Sequence, residues 1–551
     1  MNDERLARGA DALVDAITAT GARRVFTLSG NHIMPVFDAT IGSDLQLVHT
    51  RHEAAAVHMA DAWARLSGEV GVALVTGGPG HANAVSALYT AAMSDSPVVL
   101  LSGHAPLAQL GNGAFQEMRQ AELAAPVAKA SWTCERADAV ADDFARAVAI
   151  ARSGRPGPVH LSLPSDVLEA RAGTATARAH AAASSSAPAL PAARETTPHD
   201  ARRLLARLRA AKRPLILAGP FASRGADRDA ARALAGACGI PVVAMQSPRG
   251  VADPALGAFA QVLARADCIL LVGKRVDFTL RFGDAPAIDA QCTFMQIEPD
   301  ALERTRAQRL LGARLEIQVD ADACGALASL AAVSDAPSIA GDWRDTVEAA
   351  VAWRPPAWAS AAAGAASRVH PAAACRALQA LLDSHPDSVL VCDGGEFGQW
   401  AQACLNAPNL VFNGPAGAIG VGVPFAIAAS LARPGAPVVA AMGDGSIGFH
   451  IAEFDTAVRC GARFVALVGN DARWNAEYQI QLNAYGARRT IGCELAPTRY
   501  DAVASAFGAF GARVDDPGQL AAAIGEACAS GRAACINVMI EGLAAPVIRM
   551  P

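Results

Sequence analysis

Short, uninterrupted apolar runs alternate with Ala- and Leu-rich stretches along almost the whole chain, and this alternation restricts the fold more than any other feature. RRVFTL, LQLVHT, GVALVT, PVVLLSG and GPVHLSL occupy the first third; RPLILAG, IPVVAM, CILLVG and TFMQIE the second; SVLVCDG, NLVFNG, APVVAAMG, RFVALVGN and CINVMI the last. Each run is apolar at successive positions rather than at every other one, as in strands covered on both faces. Helical patterns such as EAAAVHMADAWARL and IAEFDTAVRCGA lie between them. Strands joined through helices pair in parallel, because the helix is the crossover. The expectation is an α/β fold of doubly wound parallel sheets.

At 551 residues the chain exceeds one core, and about three domains of ~150–200 residues are expected. Residues 171–198 are Ala/Ser/Pro-rich without a hydrophobic period, and residues 336–370 resemble them; both read as linkers. They separate domains at 1–170, 199–335 and 371–551. Apolar content of 52% with 18% charged residues excludes a disordered chain. A net charge of −5 with scattered Lys and Arg leaves no footprint for nucleic acid or an anionic membrane, so neither partner is expected. The opening MNDERLARGADALVDAI lacks the apolar centre of a signal peptide. Twelve cysteines occur without one CxxC pair, mostly among aliphatic residues, so free buried thiols and a reducing, cytoplasmic location are expected.

One strand ends in chemistry. In AAMGDGSIGFH, residues 440–450, an apolar run gives way to Gly443-Asp444-Gly445-Ser446 and then a helical pattern. That places the loop at the carboxyl end of a parallel strand, where doubly wound sheets bind ligands. The glycines admit close approach of an anion, and the Asp444 carboxylate suits a hard cation such as Mg²⁺. A Gly/Asp turn with no ligand has the same local pattern. The next strand, RFVALV, runs into Gly469-Asn470-Asp471-Ala472-Arg473-Trp474, so Asp471 lies 27 residues beyond Asp444. One crossover brings successive strand ends together, and both carboxylates would then serve one cation.

GDGS followed by an Asn/Asp pair resembles the diphosphate motif of thiamine diphosphate (ThDP) enzymes. The resemblance implies that Asp444, Asp471 and the Arg473 carbonyl hold Mg²⁺ on the cofactor's diphosphate. Most of the family has Asn where this chain has Asp471; the catabolic acetolactate synthases have Asp. RHEAAAVHMADAWAR, residues 51–65, resembles the glutamate motif of acetolactate synthases and benzaldehyde lyases. By itself Glu53 is an ordinary acid on a first helical turn. The resemblance makes it the carboxyl group that activates the cofactor's aminopyrimidine ring.

The likeness extends over nearly the whole chain as pyrimidine-binding, middle and diphosphate-binding domains. It places Asn31 and a catalytic His32 beside the cofactor, and Gln116, in an A-F-Q-E loop, beside the substrate. Gly417 and Ile419 match the G-x-M-G element, Ile419 standing where Met usually wedges between the cofactor rings. Gly395 and Glu396 match a stretch touching the diphosphate, and Trp474 and Ala476 a stretch beside the substrate pocket. For Trp474 simple packing fits equally. His81 stands where relatives carry a small residue, leaving a pocket role and a solvent-facing role open. In the middle segment, Arg275 and Glu298 are positions for a nucleotide (FAD, ADP or CoA), or relics of a degenerate nucleotide fold kept for packing.

The resemblance implies a ThDP- and Mg²⁺-dependent lyase, carboligase or decarboxylase of the acetolactate synthase or benzaldehyde lyase type. Its substrate would be a small carbonyl compound, a 2-keto acid or an acyloin. The assembly would be a homodimer or homotetramer with sites at the subunit interface. Two alternatives stay open: a 2-hydroxyacyl-CoA lyase or oxalyl-CoA decarboxylase-like enzyme, and a catalytically inactive ThDP-fold binding or regulatory subunit.

Overall fold

A computed structural model describes residues 8–171, 194–334, 341–361 and 368–551. The chain divides into two compact units, Met1–Ala192 and Ala193–Pro551. The first holds one six-stranded parallel sheet and the second holds two parallel sheets, so three α/β domains follow in chain order. No described helix is long and apolar enough to cross a membrane. All twelve cysteines are free thiols.

In the first unit the strands are β1 (Arg24–Thr27), β2 (Gln46–His49), β3 (Gly71–Val75), β4 (Val98–His104), β5 (Ser131–Thr133) and β6 (Val159–Pro164). They lie in the order β2-β1-β3-β4-β6-β5. The chain leaves β1 toward one edge and returns at β3 on the other side, which opens a crevice at their carboxyl ends. Helix α1 (Glu53–Ser67) follows β2, and helix α2 (Pro79–Met93) follows β3. All of α1 after Glu53 is buried except Ser67, which is why its Ala-rich sequence carries so little polar character. Val72, Leu74, Val99, Leu101, Leu161 and Leu163 of the central strands form the core with Leu13 and Phe144 of flanking helices.

The second unit begins with β7 (Pro214–Ala218), β8 (Val242–Ala244), β9 (Cys268–Val272), β10 (Thr293–Ile297) and β11 (Leu315–Val319), in the order β11-β10-β9-β7-β8. Of the second stretch expected as a linker, Gly341–Ala352 is helix α3. Its Trp343, Val347 and Ala350 are buried in the core of this middle sheet, and the Trp343 indole Nε1 donates to the Pro214 carbonyl at 2.9 Å. That part is packed structure of the middle domain; its three anchors lie on one face of an otherwise polar helix, too sparse to stand out by period. Residues 172–193 of the first linker stretch and 336–340 and 362–367 of the second lie outside the described residues.

The last sheet contains β12 (Val389–Cys392), β13 (Asn409–Phe412), β14 (Val438–Gly443), β15 (Val465–Asn470), β16 (Phe510–Val514) and β17 (Ala534–Met539), in the order β13-β12-β14-β15-β17-β16. Its switch point lies between β12 and β14. Helices α4 (Gly395–Cys404), α5 (Asp444–His450) and α6 (Asn475–Tyr485) start from the loops that follow β12, β14 and β15 at that edge. Three expected loops therefore converge on one crevice for a topological reason.

Candidate active site

At the edge of the last sheet, parallel pairing sets Gly443 of β14 beside Gly469 of β15. The residues that follow, Asp444 and Asp471, are thereby brought together, and both are buried. The two carboxyl groups lie close enough to interact, and burial pushes both well above the usual carboxylate range. For Asp471 the neighbouring Asp444 charge adds to that rise, whereas Arg473 opposes it. The Arg473 backbone N–H donates to Asp444 Oδ2 at 3.2 Å. Two buried acids in contact keep a proton between them unless a cation takes its place.

The pair opens into a cavity of about 230 Å³. Its lining includes every cofactor-binding position expected in the third segment: Gly395, Glu396, Gly417, Ile419, Gly443, Gly445, Ser446, Trp474 and Ala476, with Asp444, Asp471 and Arg473. Local sterics explain the small residues. A Cβ on Gly445 would lie 2.6 Å from the Trp474 ring, and one on Gly394 would lie 2.6 Å from Ile419 Cγ2. Trp474 meets Phe449 edge-on, with ring centres 6.3 Å apart. Trp474 thus both packs and lines the cavity.

Asp393, not singled out in the sequence, organises this loop cluster. Fully buried at the end of β12, it accepts backbone N–H groups from Gly394 (2.6 Å), Gly420 (3.0 Å) and Gly422 (2.7 Å). These bonds tie the turn before α4 to the loop carrying Ile419. Burial pushes its carboxyl up to about 6, against the pull of those amides. The available signal was an acid directly after a fully apolar strand, where only a liganded carboxylate is tolerated.

A second constellation belongs to the first unit. Glu53 is the first residue of α1, and its Oε2 accepts from Asn83 Nδ2 of α2 at 3.0 Å. His32, in a short turn after β1, is buried with Nδ1 3.2 Å from Thr76 Oγ1 and its ring stacked 6.1 Å from Phe115. Burial pushes its pKa down, and nearby His104 adds to this, so the neutral imidazole is favoured. Asn31 begins the same turn and is exposed. Gln116 is half-buried at φ 56°.

The loop after β3, Thr76-Gly77-Gly78-Pro79-Gly80, joins these residues. A Cβ at Gly77 would lie 3.3 Å from His32 Nδ1, one at Gly78 2.7 Å from the Gln116 carbonyl oxygen, and one at Gly80 3.2 Å from Glu53 Oε1. Gln120 fixes the loop: its Oε1 accepts the Gly78 N–H at 2.9 Å while its Nε2 donates to the Gly103 carbonyl at 3.0 Å. Thr76, Asn83 and Gln120 were not expected as site residues. His81 does not face solvent. It is fully buried, with Nδ1 2.8 Å from Ser102 Oγ and its ring 4.5 Å from that of His160, and burial pushes its pKa down to about 4.

In the middle domain, Arg275 Nε faces Glu303 Oε1 at 3.4 Å, and the buried Glu298 carboxylate accepts the Asp300 N–H at 3.1 Å. Both expected nucleotide positions are engaged within the protein.

Fit to a cation can be judged from the donors. Asp444 and Asp471 supply hard oxygens, and among the described residues no three His, Cys, Asp or Glu side chains converge on one metal position. Two carboxylates leave the remaining places of an octahedron to backbone, phosphate and water oxygens, as Mg²⁺ prefers. The crevice beside them, floored by glycines and Ser446, suits a diphosphate.

Comparison with known proteins matches three descriptions in sequence. Residues 7–123 match the thiamine pyrophosphate enzyme N-terminal TPP binding domain, residues 201–330 its central domain and residues 393–538 its C-terminal TPP binding domain. The chain is 32% identical over 543 residues to the acetolactate synthase large subunit IlvG of Mycobacterium tuberculosis, covering 95% of this chain and 94% of that one. It is 31% identical over 583 residues to the human 2-hydroxyacyl-CoA lyase 2, covering 97% and 90% respectively. Among solved structures, the thiamine diphosphate-dependent 4-hydroxybenzoylformate decarboxylase of Rhodococcus jostii RHA1 shares the fold. It superposes with a TM-score of 0.80 at 21% identity, over 97% of this chain and 99% of that one.

Proposed function

The chain belongs to the thiamine pyrophosphate enzyme family, and on that premise we propose that it is a ThDP- and Mg²⁺-dependent enzyme acting on a 2-keto acid or an acyloin. The reaction would break or make the C–C bond next to the carbonyl. The observation that carries this reading is the Asp444–Asp471 contact at the mouth of a glycine-floored crevice, which calls for a cation and an anion together.

When bound, ThDP would supply both a nucleophilic carbon and a cationic thiazolium ring able to take up the electrons of the breaking bond. The protein's part is holding and proton control. Asp444 and Asp471 would hold Mg²⁺, and Ser446 with the Gly395–Glu396 backbone would face the phosphates. Ile419, backed by Gly394, is of a size to support a bent cofactor. Glu53, oriented by Asn83, would hold a proton at the aminopyrimidine ring nitrogen. The neutral imidazole of His32 would accept a proton from substrate, and Gln116 would bond its oxygen.

A second reading, a 2-hydroxyacyl-CoA lyase, is favoured by the 31% identity to the human 2-hydroxyacyl-CoA lyase 2 over nearly the full chain. The reading proposed here includes no nucleotide at Arg275 and Glu298, which are engaged with Glu303 and Asp300. The assembly proposed with it is a homodimer or homotetramer, which sedimentation would test. One experiment separates the substrate readings: incubation with ThDP, Mg²⁺ and pyruvate, benzaldehyde, benzoin or a 2-hydroxyacyl-CoA, with product analysis. Turnover of the thioester alone would replace the first reading with the second.

A further inference from the structure

We propose that Arg249 of the middle domain is a ligand of the terminal phosphate of ThDP, so that two domains grip the diphosphate. This rests on the cofactor assignment above.

Charge is the starting point. The cavity that holds Asp444 and Asp471 is also lined by Glu396 and Glu477. A diphosphate adds more negative charge, and one divalent cation does not balance it together with two carboxylates. Among the described residues, two cationic side chains line the cavity, Arg473 and Arg249. The Arg473 guanidinium lies over the Tyr478 ring, 4.3 Å from its centre, and its charge faces Asp471. Of these two, Arg249 is the one whose charge is available to the phosphate.

Its setting suits that role. Arg249 follows β8 in the turn Ser247-Pro248-Arg249, held by its own N–H donating to Ser247 Oγ at 3.2 Å. The turn sits against the Ile419 loop, since a Cβ on Gly417 would lie 3.7 Å from Pro248 Cβ. The guanidinium keeps a long ion pair, 3.5 Å, with Glu396, whereas a charge-assisted hydrogen bond is nearer 2.7–2.9 Å. The same Glu396 oxygen already accepts the Ala545 N–H at 2.8 Å. Arg249 is 41% exposed and loosely tethered, beside the backbone stretch expected to face the diphosphate. A planar guanidinium engages a phosphate through two parallel N–H bonds, a geometry that lysine lacks.

Calorimetry with Mg²⁺ present tests this without reference to turnover. ThDP and thiamine monophosphate, which lacks the terminal phosphate, are titrated into wild type, Arg249→Gln and Arg249→Lys. Loss of a charged hydrogen-bond pair predicts ThDP binding about 10- to 100-fold weaker in Arg249→Gln, partly restored in Arg249→Lys. The monophosphate is expected to bind wild type and variant alike. An unchanged ThDP Kd in Arg249→Gln, or equal weakening of both ligands, overturns the inference alone. Wild-type protein that binds no ThDP overturns the cofactor assignment and this inference with it.

Discussion

Asp444 and Asp471 meet as a buried, interacting pair of carboxyl groups at the carboxyl ends of two neighbouring parallel strands, and burial raises both above the usual carboxylate range. Two acids 27 residues apart in sequence become one cation-binding element because β14 and β15 pair in register at Gly443 and Gly469. The cation-free protein carries this contact at a cost. Asp471→Asn keeps an oxygen ligand and removes one charge, so the cation-free protein should gain on the order of 1 kcal/mol. Mg²⁺ affinity should stay within about tenfold, one step of 1.4 kcal/mol. Thermal melts with and without Mg²⁺ check both; a lower melting temperature of the cation-free variant would refute the account.

The same pair sets a pH dependence. Both carboxyls are raised, so the free protein holds protons that a bound cation must displace. Affinity for Mg²⁺ should therefore rise with pH through the range in which the pair ionises, then level off. Mg²⁺ titrations from pH 5 to pH 8 at constant ionic strength measure it, and a flat profile would contradict the assignment.

Asp393 gives a stability signature of its own. Its carboxyl is raised from 3.8 to about 6 by burial, so the folded state binds more protons than the unfolded state between those values. Its contribution is fully present below 3.8 and lost as pH rises through about 6, on the order of 2–3 kcal/mol. Asp393→Asn should flatten that part of the pH–stability curve, read by urea denaturation between pH 4 and 7. It should also loosen the Ile419 loop, since an amide accepts the three backbone N–H groups less well than a carboxylate.

Glu53→Gln should leave ThDP binding nearly intact and lower kcat about 10²- to 10⁴-fold, the range of general acid–base contributions. Asn83→Ala removes only the group that orients Glu53 at 3.0 Å, so a loss of about tenfold is expected. Steady-state kinetics beside calorimetric Kd values separate the two effects. Wild-type turnover by Glu53→Gln would remove it from the mechanism.

Gly80→Ala probes the loop after β3. The added Cβ would meet Thr76 Cγ2 at 2.8 Å and Glu53 Oε1 at 3.2 Å, so both partners must shift. A stability loss of about 1–3 kcal/mol and a fall in kcat larger than any change in ThDP Kd are expected. Circular dichroism melts and kinetics on the same preparation would show whether the two losses travel together.

The fourteen apolar runs read from the sequence all appear as strands, whereas β5, β11 and β16 were not anticipated. Each of these three lies at the edge of its sheet. An edge strand is covered on fewer sides, and β11 accordingly alternates buried and exposed residues while β16 is mostly half-exposed. Continuous apolar character marks every central strand but only half of the edges.

The site divides in the same way. Glu53, Asp444 and Asp471 stood out because their neighbours fit a motif, and chemistry of that kind is written locally. Asn83, Asp393, Gln120 and Arg249 did not, because each acts on a residue that only the fold brings near. The alternation of apolar runs and helices was enough to specify parallel sheets, since burial on both faces leaves its mark on every residue of a central strand. Which acid orients a loop, and which arginine faces a crevice, was decided by packing between distant segments, where a few ångströms rather than residue type determine the outcome.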